Sequence, residues 1–273
     1  MSSILTIAYL LYSLYSSDPL MSDNDFTRSV VSNALTLNPS VYRDMAESKD
    51  LWLTFAKVDD FAGELKEIGY FGAESGDAEL DLRNAILRFQ SNHNLLVDGI
   101  WGEQCRKTLV KRILNGTFQY NDTVENPPTN NKWITINKTK RILTLYEGKT
   151  ILGKHPVAIG NPPFLTPSGK FTIVCKAVDP AWGGGSYAKP VAGGSPENPL
   201  GARWLGLSIS GGDRYGIHGN NKPYSIGRDI SHGCIRMINA DVEQLFEIIG
   251  ISTPVWIGTD AELGQWQITQ NEY

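Results

Sequence analysis

Apolar residues recur along this chain with two different periods, and the change of period divides it. Phe61, Leu65 and Ile68 fall on one helical face, and Gly69 stops that helix. Leu82, Ile86 and Phe89 repeat the spacing, and a third stripe runs from Cys105 through Leu109 and Ile113. Asp98-Gly99 and Gly102 mark a tight turn between the last two stripes. The pattern predicts a module of three short helices over 58–115. Residues 116–131 are dominated by Asn, Thr and Pro127-Pro128 and predict an extended polar linker. From Lys132 the texture becomes β. Ile134 and Ile136 alternate with polar neighbours, and Arg141 to Tyr146, Ile151 to Ile159, Phe171 to Val178 and Thr253 to Ile257 read as further strands. Short strands at this spacing predict a β-sandwich or barrel over 132–258. The expected fold class is therefore α+β and multidomain: a small three-helix module, then a mostly β sandwich domain, with 259–273 as a C-terminal tail.

Three stretches lack a clear period. Ile4 to Tyr15 is an apolar run too short to span a bilayer comfortably, with no Lys or Arg before it. A signal-like or anchoring segment, a buried N-terminal helix and a true start at Met21 are all compatible with it. Residues 22–57 are helical in parts, with Pro39 opening a helix at Ser40, and 1–57 carries no motif. Residues 179–201 form a long loop rich in Gly and Pro, with Trp182 and Tyr187 available either to a ligand or to an ordinary surface insertion.

Composition narrows the classes. Apolar residues make up 41% of the 273, enough for packed cores and against general disorder. The formal charge is −4 with no basic patch, which argues against a nucleic-acid partner. The three cysteines, Cys105, Cys175 and Cys234, lie far apart without a C-x-x-C pair, so no zinc site is expected. Cys105, on an apolar stripe, and Cys175, inside a strand, read as buried small hydrophobes. His93 and His155 read as structural or exposed.

Cys234 has different company. Ile217-His218-Gly219 and Ser231-His232-Gly233-Cys234-Ile235-Arg236 gather a thiol, two imidazoles and a guanidinium in a short span. A thiol attacks as its thiolate, and its ordinary pKa leaves little of that form at neutral pH. His218 or His232 can take the proton. Gly233 lets backbone approach a substrate carbonyl, and the amides of Gly233 and Cys234 can donate to a developing oxyanion. The planar fork of Arg236 suits an anionic substrate end. The residues point to acyl transfer with Cys234 as nucleophile.

Two stretches resemble known families. Leu65 to Tyr70, Ala85 to Gln90 and Leu95 to Gly102 resemble the three-helix peptidoglycan-binding domain, which implies wall attachment through a shallow groove. His218-Gly219 with Ser231 to Arg236, supported by Thr166 to Phe171 and Asn198 to Trp204, resembles the YkuD-type L,D-transpeptidase catalytic domain over about Lys132 to Gly258. That resemblance implies catalytic roles for Cys234, His218, His232 and Gly233, and substrate contacts at Arg236, Ser231, Gly219 and Trp204. Cys234 would form a thioester with a stem peptide, and His218 would be the base, held by a carbonyl near Gly219. His232 and Ser231 would shape the site. A helix should follow the motif, and Val242, Leu245, Phe246 and Ile249 have its spacing. The implied partner is peptidoglycan, outside the membrane, with no metal and no organic cofactor; protein partners are not indicated. An L,D-carboxypeptidase with the same site, or a wall-binding protein without activity, fits the same residues.

Overall fold

The computed structural model describes residues 60–72, 75–115, 118–185, 188–212 and 214–273. The expectations for Ile4 to Tyr15, for 22–57 and for Tyr187 lie outside the described residues, as does the side chain of Ile113. In chain order the helices of the N-terminal part are α1 (Phe61–Glu67), α2 (Ala78–Asn92) and α3 (Glu103–Asn115). Asp60 and Asp77 cap the first two by accepting amides of the first turn. The strands follow as β1 (Asp122–Val124), β2 (Lys132–Asn137), β3 (Ile142–Glu147), β4 (Thr150–Gly160), β5 (Gly169–Val178), β6 (Arg203–Leu207), β7 (Gly216–His218), β8 (Asp229–Ser231) and β9 (Ile235–Met237). The chain then runs through α4 (Asn239–Ile248), β10 (Pro254–Gly258), α5 (Asp260–Gln265) and β11 (Ile268–Gln270).

Packing divides the chain into two compact units. The first contains α1 and α3, with Leu65, Cys105 and Leu109 buried and Phe61 stacked on Trp101 at 4.5 Å. The second holds Tyr70–Ile100 and Tyr120–Tyr273, so α2 shares its packing with the strands. Leu87 and Val97 bury against Ile142, Ala158 and Ile226, and Arg88 pairs with Asp241 at 2.9 Å.

The β domain is not a sandwich. Nine strands form one sheet in the order β3-β2-β10-β5-β6-β7-β9-β4-β8, and β3 also pairs with β4, so the sheet returns on itself. The reason lies in β4, eleven residues long. Its first part pairs with β3, and its last part pairs with β9 and β8. A register shift at Leu145/Tyr146 bends the pair where the barrel closes. Alternate residues point into one core: Ile134 and Ile136, Leu143 and Leu145, Val157 and Ile159, Leu205 and Leu207, Ile217, Ile235 and Met237, Val255 and Ile257. Val242, Leu245, Phe246 and Ile249 of α4 pack into the same core.

Two segments read from sequence as peripheral are part of this unit. Within the expected linker, Asp122–Val124 pairs antiparallel with β11. Within the expected tail, Thr259 and Glu262 form a capping box that starts α5, and Leu263 and Ile268 bury against Trp133, Tyr146 and Trp256. Cys175 corrects its expectation: it is exposed, because β5 shifts register against β6 between Ile173 and Cys175 and turns the thiol outward. Cys105 is buried as expected, and His93 is buried with Nδ1 bonded to the Phe89 carbonyl at 2.8 Å.

Candidate active site

Strand register assembles the site. Trp204 on β6 pairs with His218 on β7, and His218 pairs with Arg236 on β9. Their neighbours Leu205, Ile217 and Ile235 point into the core, so Trp204, His218 and Arg236 share the opposite face of three adjacent strands. Cys234 precedes β9 by one residue. Extending the register by one step places it beside Gly216, on the same face and diagonal to His218. The Sγ atom contacts the Arg214 carbonyl at 3.4 Å, and a backbone hydrogen bond at Gly216 favours its thiolate.

The turn that presents the thiol is built by Ser231. Its hydroxyl donates to the Cys234 carbonyl at 2.5 Å and accepts the Gly233 amide at 3.1 Å. Ser231 is 1% exposed, so it holds the turn and presents no surface to a substrate. Gly233 has φ +105, and a Cβ there would lie 2.6 Å from the Tyr215 ring. Its amide is committed to Ser231, which removes it from the pair of expected oxyanion donors and leaves the Cys234 amide. His232 is exposed, with its ring tilted against Phe164 at 4.9 Å. It lies at the surface, two residues from Cys234.

His218 is buried, stacked on Trp204 at 5.6 Å, and its Nδ1 lies 2.7 Å from the Gly219 carbonyl. A carbonyl only accepts, so Nδ1 carries the proton in the neutral ring, and a second backbone contact, at Leu200, also favours the charged ring. Burial pulls the imidazole pKa down to about 4, and Arg236 adds to this, against the opposing backbone contacts at Gly219 and Leu200. Burial also raises the Cys234 thiol, although Gly216 and Arg236 pull the other way. The resting pair is therefore a neutral thiol and a neutral imidazole, and the proton moves only when the nucleophile attacks. The expected result is an acylation rate that rises through about pH 4 and is level through neutral pH, measured as adduct formation across pH. A rising limb near the ordinary imidazole pKa would show that His218 is solvated instead.

Gly219 and Trp204, read as substrate contacts, both lie against His218. Both are buried behind His218: Gly219 orients the ring, and Trp204 supports it while its Nε1 donates to Gly212 at 3.2 Å. Arg236 is half-buried beside His218 and remains the anionic-group candidate. The sequence reading missed Asn220 and Asn239, which bond each other behind Gly219. Among the described residues no three His, Cys, Asp or Glu side chains gather as metal ligands. In the long loop, Asn198 bonds the carbonyls of Pro180 and Ala192, and Trp182 bridges Val191.

Both parts of the chain are similar to known proteins. The family model of the L,D-transpeptidase catalytic domain matches residues 131–257, and that of the peptidoglycan binding domain matches 57–109. YqjB of Bacillus subtilis, named as an L,D-transpeptidase, is 41% identical over 50% of this chain and 76% of its own length. YkuD of Bacillus licheniformis, named likewise, is 39% identical over 49% of this chain and 70% of its own. The crystal structure of an L,D-transpeptidase from Xylanimonas cellulosilytica superimposes with a TM-score of 0.52 at 21% identity, covering 74% of this chain and 93% of that one, and so shares the fold. The chain belongs to the L,D-transpeptidase family.

Proposed function

We propose that this protein is a peptidoglycan L,D-transpeptidase that works through a Cys234 thioester. The observation that carries the reading is the placement of Cys234, His218 and Arg236 on one face, with a neutral His218 whose proton sits on Nδ1. In the first step Sγ attacks the carbonyl of the third residue of a tetrapeptide stem, and its proton passes to Nε2 of His218. The amide of the Cys234 residue donates to the developing oxyanion. The bond to the terminal D-alanine breaks, and His218 returns the proton to the leaving amine. A thioester remains. The amine of a neighbouring stem then attacks it, His218 takes that proton, and the thiol is regenerated with a new amide between stems. Arg236 would hold a carboxylate of the donor.

The peptidoglycan-binding segment supports the same polymer as substrate, because a tethered binding module raises the local concentration of stems. The substrate lies outside the membrane, so the working compartment is the wall or periplasm. The docking of Asp122–Val124 on the β unit shortens the free tether that the linker composition suggested.

A tetrapeptide donor incubated with an amine acceptor tests the proposal. The expected product is the cross-linked dimer together with free D-alanine, identified by mass. Tripeptide alone, at acceptor concentrations that saturate, would instead assign an L,D-carboxypeptidase. Neither product would favour a wall-binding protein.

A further inference from the structure

Asn239, the first residue of α4, lies outside the histidine and cysteine motifs. Its side chain engages both polar groups of the Asn220 main chain: Oδ1 accepts from the amide at 2.7 Å, and Nδ2 donates to the carbonyl at 3.0 Å. A main-chain N–H only donates and a C=O only accepts, so the Asn239 amide has one possible orientation. The Asn220 N–H belongs to the same planar peptide group as the Gly219 carbonyl. That carbonyl holds His218 Nδ1 at 2.7 Å. One peptide group is thus hydrogen-bonded at both ends, and such bonds polarise each other. The Asn220 side chain anchors the same segment, donating to the Met237 carbonyl at 2.7 Å and accepting the Lys222 amide at 2.9 Å. The approach is close: a Cβ on Gly219 would lie 2.3 Å from Asn239 Oδ1.

We propose that Asn239 is a positioning residue for His218, acting through the Gly219–Asn220 peptide group. By drawing on the Asn220 N–H it makes the Gly219 carbonyl a fixed and stronger acceptor, which keeps the ring proton on Nδ1 and leaves Nε2 as the base. The inference rests on the reading of His218 as base. The ionisable neighbours of His218 are Arg236 and Cys234 at β9, and the Leu200 backbone and the neutral Trp204 complete its surroundings. Asn239 itself adds no charge. Its effect on the ring passes through the peptide.

The test is the rate of carbapenem acylation of the full chain, followed as adduct mass from about pH 3.5 to 8, for the wild type, Asn239→Ala and Asn239→Asp. His218→Ala and Cys234→Ala run beside them. Asn239 is exposed, and Asn239→Asp keeps the Oδ1 acceptor while setting a second carboxylate oxygen against the Asn220 carbonyl, so the melting temperature of each variant is read alongside to establish that it folds. Asn239→Ala should slow acylation about 10- to 100-fold, as loss of a supporting hydrogen bond does elsewhere. It should also move the acid limb to lower pH, because the weakened carbonyl holds the imidazolium less well. Asn239→Asp keeps an acceptor and adds negative charge, so its limb should move to higher pH. Opposite shifts cannot come from general loosening, which would slow both variants and leave the limb in place. An unmoved limb in both variants, with His218→Ala still impaired, would overturn the role of Asn239 alone. Full acylation by His218→Ala would overturn the base assignment and this inference with it.

Discussion

Replacing Cys234 with alanine is expected to abolish the acyl-enzyme while leaving the fold intact. Its Sγ lies diagonal to His218, whereas Cys105 is buried in α3 and the Cys175 thiol, two strands away on β5, donates to the Gly212 carbonyl at 3.3 Å. The thiol contributes little to the core, since its contacts are a weak one to the Arg214 carbonyl and a backbone one at Gly216. The Ser231 bonds that shape the turn go to main-chain atoms of Gly233 and Cys234, and alanine keeps them. The melting temperature should therefore move by no more than about 4 °C, the shift of a change near 1 kcal/mol. A carbapenem adduct seen by mass spectrometry in the wild type should vanish in the variant, and turnover should fall on the order of 10³-fold or more. An adduct that survives the substitution would place the nucleophile elsewhere. The raised thiol pKa adds a second expectation. A neutral alkylating agent should label Cys234 slowly near neutral pH and faster as the pH climbs, because burial disfavours the free thiolate.

How much of this was legible from the residues follows from which interactions each residue makes. The Ser231 to Arg236 run was legible because its chemistry is local: a hydroxyl, a positive-φ glycine and a thiol act within one turn. The β character of 132–258 was legible from alternation, and α4 from its spacing, since both report burial of one face against one core. Barrel closure was not legible, because it depends on β4 changing partners partway along its length, and no residue type encodes that. The strands β1 and β11, three residues each, are too short for a period to show. Asn220 and Asn239 escaped for a different reason. Asparagine is common in turns, and only the fold reveals that these two meet behind Gly219. Roles were the least legible feature. Ser231, Gly219 and Trp204 were read as touching substrate, and only the fold shows that all three are buried, with Ser231 bonded within its own turn, the Gly219 carbonyl against His218 and Trp204 stacked on the same ring.

The second large effect expected is on stability, at Asp122. This carboxylate comes from the segment read as a linker, and its side chain is 1% exposed. It accepts from Lys154 Nζ at 2.7 Å, from the Tyr146 hydroxyl at 2.7 Å and from Asn94 Nδ2 at 2.7 Å. Lys154 is fully buried, and its remaining bonds go to Asn94 Oδ1 at 2.7 Å and Thr144 Oγ1 at 3.2 Å. Burial pulls the Lys154 pKa down to about 8, and Asp122 is what resists that fall. Asp122→Ala strands a buried ammonium, which costs about 3–5 kcal/mol and lowers the melting temperature by roughly 10 °C. The sign with pH follows. With its folded pKa depressed below the unfolded value, Lys154 binds fewer protons in the native state, so stability rises with pH. Removing Asp122 depresses that pKa further, so the variant should gain stability more steeply than the wild type as pH rises from neutral towards about 9. Thermal melts across that range read the difference directly. Adding Lys154→Met should restore most of the loss, because the double variant leaves no unpaired charge behind. Equal melting temperatures for the wild type and Asp122→Ala would mean that water reaches Lys154. In that case β1 would not be the clasp that joins the linker, β11 and the barrel wall.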